Sequence, residues 1–179
     1  PVDGNCGIAV AGQGWSPGLI GIIASRLVNE YGVPATVISI NEKGEGRGSC
    51  RGVDAIDVTE VLKRCASCLS SFGGHKSAGG FTVKVGQIQE FCAMFVTICT
   101  ELLGGVVPPK SIAFDGWLSP GEINMDFLKE LAFLKPFGAG NPTPVWGLRS
   151  CRLSSEPRIL KDKHLKFVLQ AGVDRFDAI

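Results

Sequence analysis

The sequence predicts an α/β domain, with a mixed sheet flanked by helices, followed by a truncated β domain. In the first part of the chain, short β-branched runs alternate with segments whose apolar residues recur at helical spacing. Such alternation is typical of a sheet with helices packed on its faces. Gly104-Gly105 and Pro108-Pro109 indicate a linker, so we expect one domain at 1–104 and a second at 105–179.

Local residue patterns justify each element of the first domain. Ser16-Pro17 is typical of a helix start, and Gly32 of a helix end. Asp57 is a good N-cap for the next helix. The expected elements are a strand at 7–11, a helix at 16–32, strands at 35–40 and through Ser49 and Arg51, a helix from 57, a glycine-rich loop at 73–80, a strand at 81–85 and a helix at 88–102.

The second domain has a different pattern, with several short strands and one helical segment. The expected elements are a strand at 112–118, a helix at 124–134, a loop at 136–144, a strand at 145–153 and strands at 158–171 folded around 161–163. One helix among twisted strands suits a small OB-like β-barrel, here cut short.

Composition and termini restrict the class of protein. The chain has 179 residues, 45% of them hydrophobic and 20% charged, as in ordinary globular domains. The longest apolar stretch, 19–24, is too short to span a bilayer, so no membrane partner is expected. Pro1 and the strand-like 176–179 suggest a piece excised from a longer protein.

The cysteines indicate a reducing environment. Seven is an odd number, and several lie on apolar helix faces, which favours a cytoplasmic location over a disulfide framework. Cys65 and Cys68 form a CxxC, but a structural zinc site needs four ligands and no second CxxC exists. Helix packing is therefore the preferred interpretation of this pair.

The glycine-rich segment 73–80 is the clearest candidate for ligand binding. Its four glycines, Gly73, Gly74, Gly79 and Gly80, would let the backbone approach a phosphate closely. His75 could donate a hydrogen bond and Lys76 could add charge. A tight turn in which His75 caps a carbonyl is the alternative.

A second candidate lies at 48–52. On a strand, Ser49 and Arg51 project from the same face. A hydroxyl beside a guanidinium could clamp a phosphodiester, because arginine offers two parallel donors. The alternative is an ordinary edge strand in which Arg51 pairs with a surface carboxylate.

Hydrolytic machinery is missing from the sequence. Two histidines and no Asp/His cluster cannot seat two catalytic metals. Asp54 and Asp57 are better explained as loop and N-cap residues. We therefore expect no metal or cofactor to be bound by this chain, and no nuclease activity from it alone.

Four segments resemble, in order and spacing, those of RecJ-type single-strand-specific exonucleases. Residues 14–27 resemble the opening of the DHHA1 domain, 48–52 its serine–x–arginine segment and 72–79 its glycine–glycine–histidine segment. Residues 136–145 resemble the entry to the OB-type domain. Ser16, Gly52 and Ser77 depart from the residues common in that family, and Gly52 removes a hydroxyl donor.

The resemblance implies the function of the parent protein. Such enzymes degrade single-stranded DNA from the 5′ end in repair and recombination, with Mn or Mg held by their own DHH domain. The DHHA1 domain grips the DNA backbone and the OB-type domain guides the strand. The implied phosphate-binding residues are Ser49, Arg51, Gly73, Gly74 and His75.

The second domain offers further candidates for DNA contact. Residues 135–179 carry 8 Lys/Arg against 4 Asp/Glu, whereas 1–134 carry 10 against 13. Arg158, Lys161, Lys163 and Lys166 could follow a DNA backbone, and a solvated hairpin is the alternative. Two other functions stay open: a nanoRNase or cyclic-dinucleotide phosphodiesterase of the same superfamily, and a non-catalytic replisome scaffold.

Overall fold

The computed structural model describes residues 4–179, and the chain divides into two compact units. Unit 1 ends at Lys110 and unit 2 begins at Ser111. This division lies at the end of the predicted linker, and the functional boundary at residue 104 stays a prediction. Pro1, on which the expectation of a longer parent protein partly rests, lies outside the described residues. In the described part of the chain, no helix is both long and apolar enough to cross a membrane.

Unit 1 contains a mixed five-stranded sheet, which confirms the predicted fold class. The elements are β1 (Ile8–Gln13), α1 (Ile20–Tyr31), β2 (Ala35–Ile40), β3 (Glu45–Arg51), α2 (Val58–Arg64), β4 (Leu69–His75), β5 (Ala78–Lys84) and α3 (Ile88–Leu102). The sheet order is β1-β2-β3-β5-β4, with β1 and β2 parallel and the other neighbours antiparallel.

The two faces of this sheet are covered differently. On one face, α2 and α3 enclose the main core, in which the rings of Phe81 and Phe91 lie 4.4 Å apart. On the other face, Ile20 and Ala24 of α1 pack on Val37 of β2. Since α1 contacts β2 and β3, it covers one side of that face.

Helix boundaries follow local chemistry with one exception. Asp57 caps α2 as predicted, since its side chain accepts from the amide of Thr59 at 2.8 Å. Gly32 ends α1 at a φ of 71°, where a side chain would be strained. The predicted start of α1 at Ser16 is wrong. The segment from Pro17 to Leu19 forms a turn, and Leu19 is the N-cap.

The prediction of a glycine-rich loop at 73–80 is also wrong. These residues form the paired ends of β4 and β5, joined by a turn at Lys76-Ser77. Gly73 pairs with Gly80 and Gly74 with Gly79. A Cβ on Gly74 would lie 2.4 Å from the Ala78 carbonyl oxygen. Pairing within the sheet therefore overrides the low strand propensity of glycine.

Unit 2 has little enclosed interior. Its elements are β6 (Gly116–Leu118), α4 (Met125–Ala132), β7 (Trp146–Leu148), β8 (Cys151–Leu153), β9 (Arg158–Leu160), β10 (His164–Ala171) and β11 (Asp174–Ala178). β6 and β7 form a parallel pair, and β10 pairs with β8, β9 and β11. Among the described residues these strands do not close into a barrel.

Two details of unit 2 test the predictions. The single strand expected at 145–153 is wrong, because Ser150 adopts a φ of 55° and separates β7 from β8. The fold-back at 161–163 is confirmed as the turn between β9 and β10. Lys161 and Asp162 have φ of 51° and 52° there.

The CxxC pair belongs to the core of unit 1. Cys65 ends α2 and Cys68 closes a short 3-10 turn, and both are buried. Burial raises the pKa of the Cys65 thiol to about 12. Such a thiol stays protonated and packs as a small apolar group.

Candidate phosphate-binding groove

Alternate residues of β3 create a polar face opposite the main core. Gly46, Gly48 and Cys50 are buried, whereas Arg47 is exposed and Ser49 and Arg51 are partly exposed. Strand alternation places the second set on one face, which we call the groove face. Ser49 and Arg51 are therefore adjacent on that face, as predicted.

The side chain of Arg51 is held in place by its own strand. Its Nη1 donates to Ser49 Oγ at 2.9 Å and to the Cys50 carbonyl at 2.7 Å. Holding the guanidinium in advance reduces the entropy lost when it binds an anion. The other guanidinium nitrogens have no hydrogen-bond acceptor within residues 4–179.

Three rows of residues cross β3, β5 and β4 on the groove face. Partners in antiparallel register share a face. The first row is Arg47–Thr82–Ser71, the second Ser49–Gly80–Gly73 and the third Arg51–Ala78–His75. Two residues along a strand span about 6.6 Å, so each arginine lies one such step from the middle row.

The middle row forms a floor almost without side chains. Gly80 and Gly73 follow Ser49 across the sheet and are exposed. A groove of about 610 Å³ runs over this floor, and its lining includes Arg47, Ser49 and Arg51. A phosphodiester backbone could therefore lie against the sheet between Arg47 and Arg51.

Helix α1 forms one wall of the groove, and Gly21 allows its close approach. A Cβ on Gly21 would lie 2.9 Å from Arg51 Nη2 and 3.3 Å from Ser49 Oγ. Pro17, Gly18 and Ile20, at the amino-terminal end of α1, also line the groove. The partial positive charge at a helix amino terminus favours an anion there.

Of the predicted residues Gly73, Gly74 and His75, two lie on the groove face and one lies on the core face. Gly73 lines the groove. His75 is exposed and lies in the same row as Arg51, two strands away. At the ordinary spacing between strands, the backbones of these two residues are about 9.6 Å apart. Gly74 shares a row with buried Gly79 and Cys50, so alternation puts it on the core face. Lys76 is exposed in the turn after His75.

Sequence reasoning missed two residues of this groove. Arg47 projects beside Ser49, and the two-residue period of β3 could have identified it. Gly21 lies within a helical pattern, where glycine costs up to about 1 kcal/mol relative to alanine, and such a glycine suggests a packing or functional reason. Neither Arg47 nor Arg51 forms a salt bridge within the described chain.

The basic residues of unit 2 lie on one hairpin. Arg158 on β9 is directly opposite Lys166 on β10. Lys161 and Lys163 lie in the turn that joins these strands. Lys166 Nζ lies 3.6 Å from an Asp177 oxygen, so its charge is partly compensated.

The described part of the chain offers no metal centre. Within residues 4–179, no three side chains of His, Cys, Asp or Glu come together in a way that could hold an ion. The described residues therefore do not fit a divalent-metal site.

Known protein families match both parts of the chain. The DHHA1 domain matches residues 3–101, and the RecJ OB domain matches residues 114–179. The single-stranded-DNA-specific exonuclease RecJ of Bacillus subtilis is 31% identical over 176 residues, which is 96% of this chain and 22% of that protein. RecJ of Escherichia coli is 28% identical over 170 residues, or 92% of this chain and 29% of that protein.

Solved structures agree with the sequence relatives. The crystal structure of RecJ in complex with Mn²⁺ from Thermus thermophilus has a TM-score of 0.77 and 27% identity, covering 99% of this chain and 26% of that chain. Its Mg²⁺ complex has a TM-score of 0.75 and 25% identity, covering 99% and 27%. The chain thus spans about a quarter of the length of these relatives. It belongs to the DHHA1 domain family, and its two units are homologous to the DHHA1 and OB regions of RecJ.

Proposed function

We propose that this chain is the substrate-gripping part of a cytoplasmic, RecJ-type 5′-to-3′ exonuclease that acts on single-stranded DNA in repair and recombination. One observation carries this function: Arg47 and Arg51, which form no salt bridge within residues 4–179, flank a glycine floor on a sheet face walled by α1. The groove accepts the phosphodiester backbone, and Ser49, Arg51, Gly73 and His75 are the proposed contacts, with Gly74 supporting the hairpin.

The chemistry of the groove suits a phosphate. Hydrogen bonds from guanidinium to phosphate are charge-assisted and about twice as strong as neutral ones. Because the floor lacks side chains, the strand can approach the sheet closely enough for Ser49 and Arg51 to contact the same phosphate. Arg47, one row away, is placed for a neighbouring phosphate or the same one from its other side.

Metal chemistry is assigned to another part of the parent protein. The Thermus thermophilus structures contain Mn²⁺ or Mg²⁺, while the described residues of this chain have no suitable cluster. The metals would be held by a DHH domain, whose sequence is not within residues 1–179. The groove then positions the strand for hydrolysis elsewhere.

The match to the RecJ OB domain over 114–179 favours this function over a short-oligonucleotide or cyclic-dinucleotide phosphodiesterase. A non-catalytic replisome scaffold would share the groove. The two differ in the metal ligands of the DHH domain, so sequencing the parent gene distinguishes them: intact Asp and His ligands support an enzyme, and their loss supports a scaffold.

The groove is tested by Arg51→Ala in this chain. Removing one charged hydrogen-bonding partner costs about 1.5–3 kcal/mol, so affinity for a 5′-phosphorylated thymidine oligomer is expected to fall about 10- to 150-fold. Arg51→Lys should recover little, because lysine lacks the planar pair of donors. Fluorescence anisotropy at fixed salt measures the affinity.

The matched control is Arg64→Ala, which removes an arginine paired with Glu101 outside the groove. This variant is expected to bind the oligomer with the same affinity as the unmutated chain. Equal affinities for the Arg51→Ala variant and the parent chain would contradict the proposed function.

A further inference from the structure

The loop between β1 and α1 holds Trp15 in a fixed position, with its side chain partly exposed. The ring of Trp15 lies against the backbone of Gly12, where an added Cβ would be 2.4 Å from Trp15 Cε2. Ser39 Oγ donates to the Trp15 carbonyl at 2.6 Å and fixes the loop to β2. The side chain is still 39% exposed, so one aromatic surface is packed and the rest is available.

Trp15 borders a hollow of about 650 Å³. Its lining also includes Pro17, Ser39, Ile40 and Asn41 and the charged residues Glu42, Lys43 and Glu45. This volume is within the range of about 300–1,000 Å³ found for small-molecule sites. Its aromatic and apolar surface suits a flat ring system.

Asn41 offers a free donor at the edge of the hollow. Its Oδ1 accepts from the amides of Lys43 and Glu45, each at 3.0 Å, which fixes the orientation of the side-chain amide. Its Nδ2 has no hydrogen-bond partner within residues 4–179. A carbonyl at the edge of a ligand could accept from it.

The hollow lies next to the phosphate groove on the same face of the sheet. Pro17 lines both. Ser39, which holds Trp15, is the register partner of Arg47 in the first row of the groove face. A strand with one phosphate at Ser49 and Arg51 would therefore bring its next nucleotide to the Trp15 side of the groove.

We propose that this hollow is a nucleobase subsite, in which one base stacks on Trp15 and a base carbonyl accepts from Asn41 Nδ2. The subsite rests on the proposed function and extends it, because it makes the ligand a strand with intact bases and not a backbone alone. Glu42 and Glu45 would repel a second phosphate, whereas an uncharged base is compatible with them.

The test compares two probes on the full 179-residue chain. One is a 5′-phosphorylated thymidine tetramer, and the other has the same backbone with abasic residues. Stacking on an aromatic side chain contributes about 5- to 150-fold per base, so Trp15→Ala should weaken the thymidine probe by that factor. It should leave the abasic probe unchanged, and Trp15→Phe should keep part of the difference.

Asn41→Asp separates the donor from the fold. Aspartate keeps an acceptor oxygen for the amides of Lys43 and Glu45 and lacks the Nδ2 donor. Its added negative charge acts on the phosphates of both probes, so this repulsion cancels in the ratio of their affinities. The ratio of thymidine to abasic affinity should fall about 2- to 13-fold, the effect of one neutral hydrogen bond. Leu102→Ala, at an exposed position that ends α3, should leave this ratio unchanged.

The outcomes distinguish the subsite from the groove. If Trp15→Ala leaves both probes unaffected, or weakens both equally, the base subsite is overturned. Arg51→Ala should weaken both probes equally. If Arg51→Ala has no effect while Trp15→Ala lowers only thymidine binding, the groove fails and the base contact stands without it.

Discussion

Units 1 and 2 differ in how their side chains are buried. Within residues 4–179, every buried hydrophobic side chain except Ala171 belongs to unit 1. Unit 2 instead exposes large apolar groups such as Phe133, at 88%. Groups on a densely packed scaffold keep their geometry, because close-packed interiors resist deformation. The proposed phosphate-binding groove rests on such a scaffold, whereas the basic hairpin of unit 2 does not.

The largest expected effect that separates the units is on stability. Phe91 is fully buried between Phe81 and Phe95. Phe91→Ala is expected to lower the free energy of unfolding of unit 1 by about 3–5 kcal/mol, through lost burial and a residual cavity. Phe133→Ala should change stability by less than about 0.5 kcal/mol.

Equilibrium urea unfolding followed by circular dichroism measures both variants. The contrast between the units would be broken if the two substitutions cost similar free energies.

A smaller effect is expected at alkaline pH. Burial raises the pKa of the Cys50 thiol to about 12. Between the unfolded pKa of about 8.5 and pH ~12, only the unfolded state loses this proton, so stability falls as pH rises, by up to about 1.4 kcal/mol per pH unit. Below about pH 8.5 the contribution is constant.

Cys50→Ala should therefore reduce the loss of stability between about pH 8 and about pH 10.5. Cys151→Ala, at a partly exposed position of unit 2, should not. Unfolding free energies measured at the two pH values decide the matter, and parallel pH profiles for the parent chain and the Cys50 variant would disprove the argument.

The smallest effect concerns the basic hairpin. Replacing Lys161, Lys163 and Lys166 with alanine should mainly weaken DNA binding and flatten its salt dependence. Each lost phosphate contact lowers the slope of log affinity against log salt by about 0.7. The ion pair of Lys166 with Asp177 makes a full change of three contacts an upper limit.

A salt titration of affinity gives the slope, with Lys129→Ala as the control because that lysine pairs with Asp126 on α4. An unchanged slope in the triple variant would identify the hairpin as a solvated surface. The unit with little buried core would then have no role in gripping DNA through these lysines.

Local patterns predicted much of the fold of unit 1. Gly32 ends α1, Asp57 caps α2, and the β-branched run at 35–40 forms β2, because each depends on neighbouring residues. The strand character of the glycine-rich segment depends on pairing between β4 and β5. Because glycine has no side chain, these residues show no apolar–polar alternation that would indicate a strand, and the sequence suggested a loop.

The site was predicted only in part, for a related reason. Ser49 and Arg51 are two residues apart, so strand alternation was sufficient to place them together. The position of His75 two strands from Arg51 depends on the register across β5, which no local pattern contains. Arg47 could have been identified from the two-residue period of β3, whereas the close approach of Gly21 to Arg51 and Ser49 depends on how α1 packs on the sheet.

Gly21 places two design goals in conflict. Sequence optimisation for helix stability would choose alanine there, a gain of about 1 kcal/mol in helix propensity. The same methyl group would lie 2.9 Å from Arg51 Nη2, so either the helix or the guanidinium must move. Thermostabilised variants of this protein should therefore keep Gly21. A more stable α1 with alanine there would displace the Arg51 guanidinium from its position in the groove.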